Sequence, residues 1–350
     1  MAIGVGISGP RGGGGATAPS ITIGIFSDAG HTTPITETDY TDNVYLLASA
    51  PFTATNFTWY IDDGVEEYSL TGESVTFNTT DVQNDVTITC VANDGTTFAS
   101  GQSSTLTINN NPTDIYDEFD AVALVSNPDI KLAWVECIRD INRDSNWNKL
   151  ECVFPIIGGT STSHAVDLLY PNDPTKVVTW VGSPTHNAKG AYMNGSSIYG
   201  QTWYRGGTEG LNKNSCGLAY VNGAANISNA IVMGARSNGN DFYMRRVGVS
   251  RIGGNNSGVV MSAALDTGFS LVSRISANII FGYVNSEMFV GGTSTNTYTS
   301  WVNNYVCLSR SANGSGGASL CQFAAVHAGL DEGEALGLIQ AVNKCNGKIR

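Results

Sequence analysis

Short stretches in which apolar and polar residues alternate dominate the first third of the chain. They recur about every ten residues between positions 21 and 111, with turn-forming residues between them. Alternation at this spacing is typical of antiparallel strands in a β-sandwich. The stretches are NVYLLASA, TNFTWYIDD, ESVTFNTT, DVTITCVAND and SSTLTINN. We therefore predict a first sandwich domain over residues 21–111.

A helical period follows. Asn127 and Pro128 are typical of a helix start, and apolar residues then recur at the spacing of one helix face. The positions of this face are Leu132, Val135, Ile138 and Ile141. We predict a helix over about residues 128–144, preceded by a linker, NNNPTDIYDEFD, that leads into a second domain. A C-terminal helix over about 331–345 begins with acidic residues and carries Lys344 near its end, as the helix dipole favours.

Between these helices the strand pattern returns. The stretches are ECVFPII, HAVDLLY, KVVTWVG, GLAYVNG, AIVMGARS, DFYMRRVG, FSLVSRIS, NIIFGYVN, YVCLSRS and CQFAAVHAG. So many strands with no helix between them predict a large antiparallel sandwich. The predicted fold class is mainly β: a smaller and a larger sandwich with short flanking helices, the second domain spanning 112–350.

Charge and composition exclude several classes of protein. The net charge of −12 disfavours nucleic acid as a partner, because such binding depends on clustered Lys and Arg. No apolar run is long enough to span a bilayer, so no membrane partner is expected. Seven scattered cysteines without a CxxC pair indicate free buried thiols from a reducing compartment. The start, MAIGVGIS, lacks the pattern of a signal peptide, so we expect synthesis in a bacterial cytoplasm.

The first twenty residues, MAIGVGISGPRGGGGATAPS, form a glycine-rich arm. Gly4, Gly6 and Gly9 match GxGxxG, but PRGGGG cannot open the helix that a dinucleotide site requires. No cofactor is therefore expected. Small side chains allow such an arm to lie along the sheet edge of a partner through backbone hydrogen bonds. The predicted anchoring residues are Ile3, Val5, Ile7, Pro10 and Arg11.

The first domain resembles an immunoglobulin-like domain. Trp59 in FTWYIDDG corresponds to the core tryptophan of strand C, and Cys90 in VTITCVANDG to the cysteine of strand F. Leu46 or Ala48 stands where the partner cysteine would be. The resemblance therefore implies a sandwich without the inter-sheet disulfide.

The second domain resembles concanavalin A-like lectin/glucanase domains, in the form found in virion proteins of tailed phages that infect Bacteroidetes. The resemblance covers residues 113–350 and is carried by FPIIGGTSTSHAVDLLYPND, SPTHNAKGAYMNGSS and AAVHAGLDEGEALGLIQAVNKCNGKIR. It implies a capsid-decorating or head-fibre-like virion component, anchored to capsid or other virion proteins by the arm. A tail-fibre or baseplate subunit is the alternative. We expect a homo-oligomer, and phage fibres are often trimers, although no heptad or β-helical repeat marks one here.

Paired acids of the glycosidase type are missing between residues 150 and 328. The nearest match to ExDxxE is Glu37, Asp39 and Asp42, which ends in Asp and lies in the first domain. The four histidines are isolated and form no HExxH motif, so no metal site is expected; His164 is interpreted as structural rather than as a catalytic partner of Ser161 or Ser163. We expect no enzyme; a carbohydrate-active enzyme with an accessory domain is the alternative.

Aromatic residues with polar neighbours are the remaining candidates for a site. QTWYRGG and TYTSWVNNY combine rings that can stack on sugars with groups that can orient hydroxyls. Core packing or a subunit interface is the alternative for each. The predicted contacts to host-surface glycan are Trp203, Tyr204, Arg205, Trp301, Tyr305 and His186.

Overall fold

A computed structural model gives the fold. It describes residues 19–39, 42–103, 105–109, 111–125, 127–144, 147–212, 214–223, 231–237, 240–245, 248–252, 258–261, 267–276, 278–285, 287–290, 304–310 and 316–349. Two sets of predicted residues lie outside these ranges: the anchoring residues Ile3, Val5, Ile7, Pro10 and Arg11, and the glycan candidate Trp301. The chain divides into two compact units, the first with residues up to Thr79 and Asp85–Ile108, the second with Thr80–Asn84 and the residues from Asn109 onward.

The first unit is an immunoglobulin-like sandwich of antiparallel sheets. Its strands are β1 (Thr22–Phe26), β2 (Glu37–Asp39), β3 (Asn43–Ser49), β4 (Asn56–Asp62), β5 (Glu67–Thr71), β6 (Ser74–Asn78), β7 (Thr87–Asn93), β8 (Phe98–Gln102) and β9 (Thr107–Asn109). One sheet has the order β1-β3-β6, the other β5-β4-β7-β8, and β2 pairs with β9. Trp59 on β4 and Cys90 on β7 are direct register partners and fully buried. Leu46 and Ala48 are buried on β3 in the other sheet.

The second unit is the larger antiparallel sandwich, of jelly-roll type. Its strands are β10 (Leu150–Phe154), β11 (Thr179–Val181), β12 (Thr185–Asn187), β13 (Gly190–Met193), β14 (Tyr199–Gln201), β15 (Cys216–Asn222), β16 (Ile231–Ser237), β17 (Asn240–Arg245), β18 (Gly248–Ile252), β19 (Gly258–Met261), β20 (Gly268–Arg274), β21 (Ile280–Val284), β22 (Glu287–Val290), β23 (Cys307–Leu308) and β24 (Ser319–His327). One sheet has the order β12-β13-β24-β15-β20-β21-β22, with β10 also on β24; the other has the order β11-β14-β23-β16-β17-β18-β19.

Two apolar layers cover the first of these sheets. Alternate residues of β15 belong to different cores: Leu218 and Tyr220 pack in the core between the sheets, and Ala219 and Val221 in the core beneath the helices. Every residue of β15 is therefore buried. A strand covered on both faces is continuously apolar rather than alternating, which explains the run CGLAYV.

In the described part of the second unit, three α-helices form the outer layer: α1 (Pro112–Ala123), α2 (Pro128–Asp144) and α3 (Glu332–Ile349). The linker predicted over NNNPTDIYDEFD is wrong, because this stretch forms most of α1. The Asn111 side chain accepts hydrogen bonds from the backbone N–H groups of Thr113 and Asp114, and Pro112 occupies the first turn. Asn before Pro is the same start signal that was recognised at α2, where the Asn127 side chain caps the helix.

Three further details differ from the sequence predictions. Leu132, assigned to the packed face of α2, is 52% exposed, because the buried face turns towards Trp134 and Ile138 instead. The C-terminal helix extends to Ile349, four residues past the predicted end. HAVDLLY is not a strand: Ser163–Ala165 is a short 3-10 turn, Val166 forms an isolated antiparallel bridge with Val177, and residues 167–170 form a loop. Among the described residues, no helix has the length and apolar character needed to cross a membrane.

Candidate functional site

A concave cavity in the second unit contains three of the predicted glycan residues: Trp203, Arg205 and Tyr305. We call it the Trp203 cavity; its volume is about 540 Å³. The other lining residues are Pro174, Thr175, Lys176, Val177, Thr179, Gln201, Thr202, Thr208 and Glu209. These residues come from three separate stretches of the chain, so the site depends on tertiary structure rather than on a local motif.

Backbone pairing brings two of these stretches together. The N–H of Thr202 donates to the carbonyl of Val306 at 2.9 Å, and the N–H of Val306 donates to the carbonyl of Tyr204 at 3.0 Å. This pairing continues the contact between β14 and β23 beyond the strand ends. It places Arg205 beside Tyr305, with the guanidinium carbon 3.7 Å from the ring centroid. A cation at this distance is attracted by the face of the ring.

The loop before β11 supplies the opposite wall. The Lys176 ammonium lies 3.3 Å from the Tyr170 ring centroid and 4.7 Å from that of Trp203. The two rings meet edge to face at 5.6 Å. Asp173 fixes the loop, because its carboxylate accepts hydrogen bonds from the N–H and hydroxyl of Thr175. These bonds hold the pKa of Asp173 below its ordinary value.

A buried carboxylate holds the indole of Trp203. The Trp203 Nε1–H donates to Oδ2 of Asp167 at 2.8 Å. The other carboxylate oxygen accepts from the backbone N–H groups of Val153 and Leu169, each at 3.0 Å. Burial raises the pKa of Asp167 to about 7 despite these hydrogen bonds. Sequence reasoning missed Asp167, since its stretch was assigned to an ordinary strand.

Tyr204 is not part of the cavity wall, which corrects its assignment as a glycan contact. Its side chain is fully buried in the core between the sheets, because neighbouring residues along an extended chain point to opposite sides. Burial raises the pKa of the Tyr204 phenol, and the nearby Glu151 raises it further. Burial likewise raises the pKa of Glu151, with a smaller contribution from the charge of Glu209.

His186 lies in a histidine pair and does not line the Trp203 cavity. Its Nδ1 is 3.0 Å from Nδ1 of His164, and its ring meets the Trp180 ring edge to face at 4.8 Å. The N–H of Gly159 donates to Nε2 of His164, so His164 carries its proton on Nδ1 and donates to His186. Burial lowers the pKa of His186. The structure thus separates His186 from the other candidates.

The acids of the ExDxxE-like stretch do not lie in the second unit, which contains the Trp203 cavity. Glu37 and Asp39 lie on β2 of the first unit, and Glu209 is the acidic residue of the Trp203 cavity. Across the described residues, no group of three or more His, Cys, Asp or Glu side chains is placed to hold a metal ion.

No family model and no curated protein matches the chain. Among solved structures, domain 4 of AbnA, a GH43 extracellular arabinanase from Geobacillus stearothermophilus in complex with arabinotriose, is 12% identical over 58% of this chain and 98% of its own, with a TM-score of 0.35. A mutant of Trypanosoma rangeli sialidase displaying trans-sialidase activity is 9% identical over 92% of this chain, with a TM-score of 0.40. The chain spans 51% of that sialidase. Likenesses this distant do not bear on ligand or activity.

Proposed function

We propose that the chain is a non-enzymatic component of a tailed-phage particle whose second unit binds host-surface glycan in the Trp203 cavity. The observation that carries the glycan part is the lining of that cavity: two aromatic rings, each beside a cation, with threonine and glutamine side chains between them. Rings of this kind stack on the flat faces of sugars, while polar groups orient the hydroxyls.

Preorganisation supports the same proposal. Asp167 holds the Trp203 indole by a hydrogen bond, and Arg205 rests on Tyr305. Side chains that are ordered before binding lose less conformational entropy when a ligand arrives. A shallow site of this kind gains affinity when many copies are displayed on one particle, because weak contacts then add through avidity.

The virion role is supported by the resemblance of residues 113–350 and by the composition of the N-terminal arm. The net charge of −12 suits a surface component that must not bind nucleic acid. We place the protein on the capsid, as a decorating or head-fibre-like subunit in homo-oligomeric form. Antibody labelling of the chain in intact particles tests this position, since label on the tail would assign it to a fibre or baseplate.

Trp203→Ala tests the glycan site. We expect at least a tenfold loss of binding on an array of bacterial surface oligosaccharides, because the variant removes the stacking surface; tenfold corresponds to about 1.4 kcal/mol. Tyr192→Ala is the matched control, since Tyr192 is an aromatic residue on β13 that is 46% exposed and lies outside the cavity. Binding that Trp203→Ala leaves unchanged, or a wild-type protein that binds no oligosaccharide, would contradict the proposal.

A further inference from the structure

We infer that the Trp203 cavity selects glycans that carry a carboxylate, such as chains containing uronic acids. This inference rests on the proposed function and names the class of ligand for the same site. It follows from the charges that line the cavity and from the way in which the structure leaves those charges unpaired.

Two cations face the Trp203 cavity, and both lie on aromatic rings rather than against acids. Lys176 lies over Tyr170 and Trp203, and Arg205 lies over Tyr305. Among the described residues, neither side chain forms an ion pair with a carboxylate. Lys176 acts on Asp173 and on the buried Asp167 through its electrostatic field, without an ion pair to either.

Elsewhere in the second unit, four described lysines are ion-paired with acids of the three α-helices. The pairs are Lys131 with Asp117, Lys149 with Glu334, Lys344 with Asp140, and Lys348 with Glu136. Acids outnumber bases in the whole chain by 30 to 18. Two unpaired cations that converge on one cavity of so acidic a chain therefore form a local positive field, which attracts an anion.

The chemistry of Arg205 favours a carboxylate in particular. A guanidinium that stacks on a ring keeps its N–H groups free at its edge, and those groups match the two oxygens of a carboxylate. A sugar acid can place its ring against Trp203 and its carboxylate between Arg205 and Lys176. A neutral sugar would gain the stacking without the charge-assisted hydrogen bonds.

Glu209 opposes this preference and provides a test of it. It is the acidic lining residue, and its backbone N–H donates to the carbonyl of Arg205 at 2.9 Å. Its side chain is exposed, so solvent screens its charge more than it screens the half-buried cations. Of the charged residues that line the cavity, two are cations and one is an exposed acid, so the lining itself is positive. Asp173 and the buried Asp167 also interact electrostatically with Lys176 and reduce this positive field. Replacing Glu209 with Gln should strengthen the binding of an acidic sugar.

The experiment compares oligomers of galacturonic and glucuronic acid with the same oligomers after chemical reduction of their carboxyl groups. Each pair differs only in the carboxylate. By calorimetry or biolayer interferometry at low salt, the wild-type protein should bind at least one acidic oligomer about tenfold or more tightly than its reduced form, and added NaCl should diminish the difference.

Three variants complete the test. Arg205→Gln and Lys176→Gln should each reduce the preference for the acidic form, whereas Glu209→Gln should increase it. Lys189→Gln, an exposed lysine outside the cavity, is the control and should change nothing. Circular dichroism and melting temperature establish that each variant is folded.

The outcomes separate the inference from the proposed function. Equal binding of acidic and reduced forms, still lost in Trp203→Ala, would overturn the acidic preference and leave the glycan site standing. An acidic preference that is unchanged in both Arg205→Gln and Lys176→Gln would also overturn the inference. Failure of the wild-type protein to bind any acidic or neutral oligomer would overturn both.

Discussion

Asp167 connects the core of the second unit to its candidate site through one carboxylate. One oxygen accepts from two backbone N–H groups, at Val153 on β10 and at Leu169, while the other holds the Trp203 indole. The residue is completely buried, and burial raises its pKa from 3.8 to about 7. The charge state of a core group therefore changes near neutral pH.

This raised pKa predicts how stability depends on pH. Between about pH 4 and 7 the folded protein keeps a proton on Asp167 that the unfolded chain releases, so this contribution to the free energy of unfolding is largest at the acidic end and is lost as pH rises through 7. The full shift corresponds to about 4 kcal/mol. Urea unfolding from pH 5 to 8 should show this loss in the wild type and a flatter profile in Asp167→Asn.

Comparing the pH profiles of the wild type and Asp167→Asn removes the contributions of other titrating groups that both proteins share. His327, whose pKa is lowered by burial to about 4, acts in the opposite direction, because its neutral form is favoured in the folded state as pH rises. Its effect is common to both proteins. Identical pH profiles for wild type and Asp167→Asn would contradict the assignment of the titration to Asp167.

Residue patterns alone predicted part of the candidate site. Trp203, Arg205 and Tyr305 were recognisable as aromatic and basic residues in polar surroundings, and the structure brings them together. Lys176 and Glu209 could not be recognised as site residues from the sequence, because each lies in an irregular turn whose position depends on long-range packing. Tyr204 is also an aromatic residue with polar neighbours in the sequence, but its side chain is buried in the core.

At the scale of elements, the close packing of α3 against α2 depends on a glycine. A Cβ at Gly337 would lie 2.1 Å from the carbonyl oxygen of Asp144 at the end of α2. A backbone atom cannot move aside as a flexible side chain can. Only a residue without a side chain therefore allows this approach.

Gly337→Ala should consequently destabilise the protein, by about 1–3 kcal/mol, as overpacking of a close contact usually does. Gly347→Ala is a control on the same helix, because a Cβ there meets no atom within 4 Å. Higher helix propensity makes that change neutral or stabilising by up to about 1 kcal/mol. Thermal unfolding measures both, and equal effects at the two positions would refute the role of close packing.

The fold class could be predicted from sequence because short alternating strands mark a sandwich directly. The helical layer could be predicted only in part. In α1, the buried Tyr116 and Phe119 are separated by exposed acids, so the stretch is typical of a polar linker until its Asn–Pro start is noticed. The burial of both faces of β15 could not be predicted either, because a continuous apolar run does not indicate which element packs on each face.

At the scale of the whole molecule, the proposed particle role depends on the N-terminal arm. Deletion of residues 1–18 should leave a folded, soluble protein, because the first unit keeps Ser20, which forms a bridge with Ser100. We expect the truncated chain to be missing from assembled particles. Mass spectrometry of purified particles measures incorporation, and incorporation at the wild-type level would refute anchoring by the arm.

A second variant tests whether anchoring depends on the apolar residues of the arm or only on its length. Changing Ile3, Val5 and Ile7 to Ser preserves the length and glycine content of the arm but removes its apolar side chains. This variant should also fail to join the particle if those residues make the contact. Normal incorporation would show that the named apolar residues are not the anchor.

The Trp203 cavity combines exposed lining residues with a buried residue that supports them. Asp167, which holds the Trp203 indole, lies in the core, whereas Glu209 and Thr208 are exposed on a turn and Thr175 is exposed on a loop. Exposed positions of this kind accept substitution with little change in the free energy of unfolding. If the cavity binds glycan as proposed, substitutions at these exposed positions can change which glycan is bound without altering the stability of the sandwich.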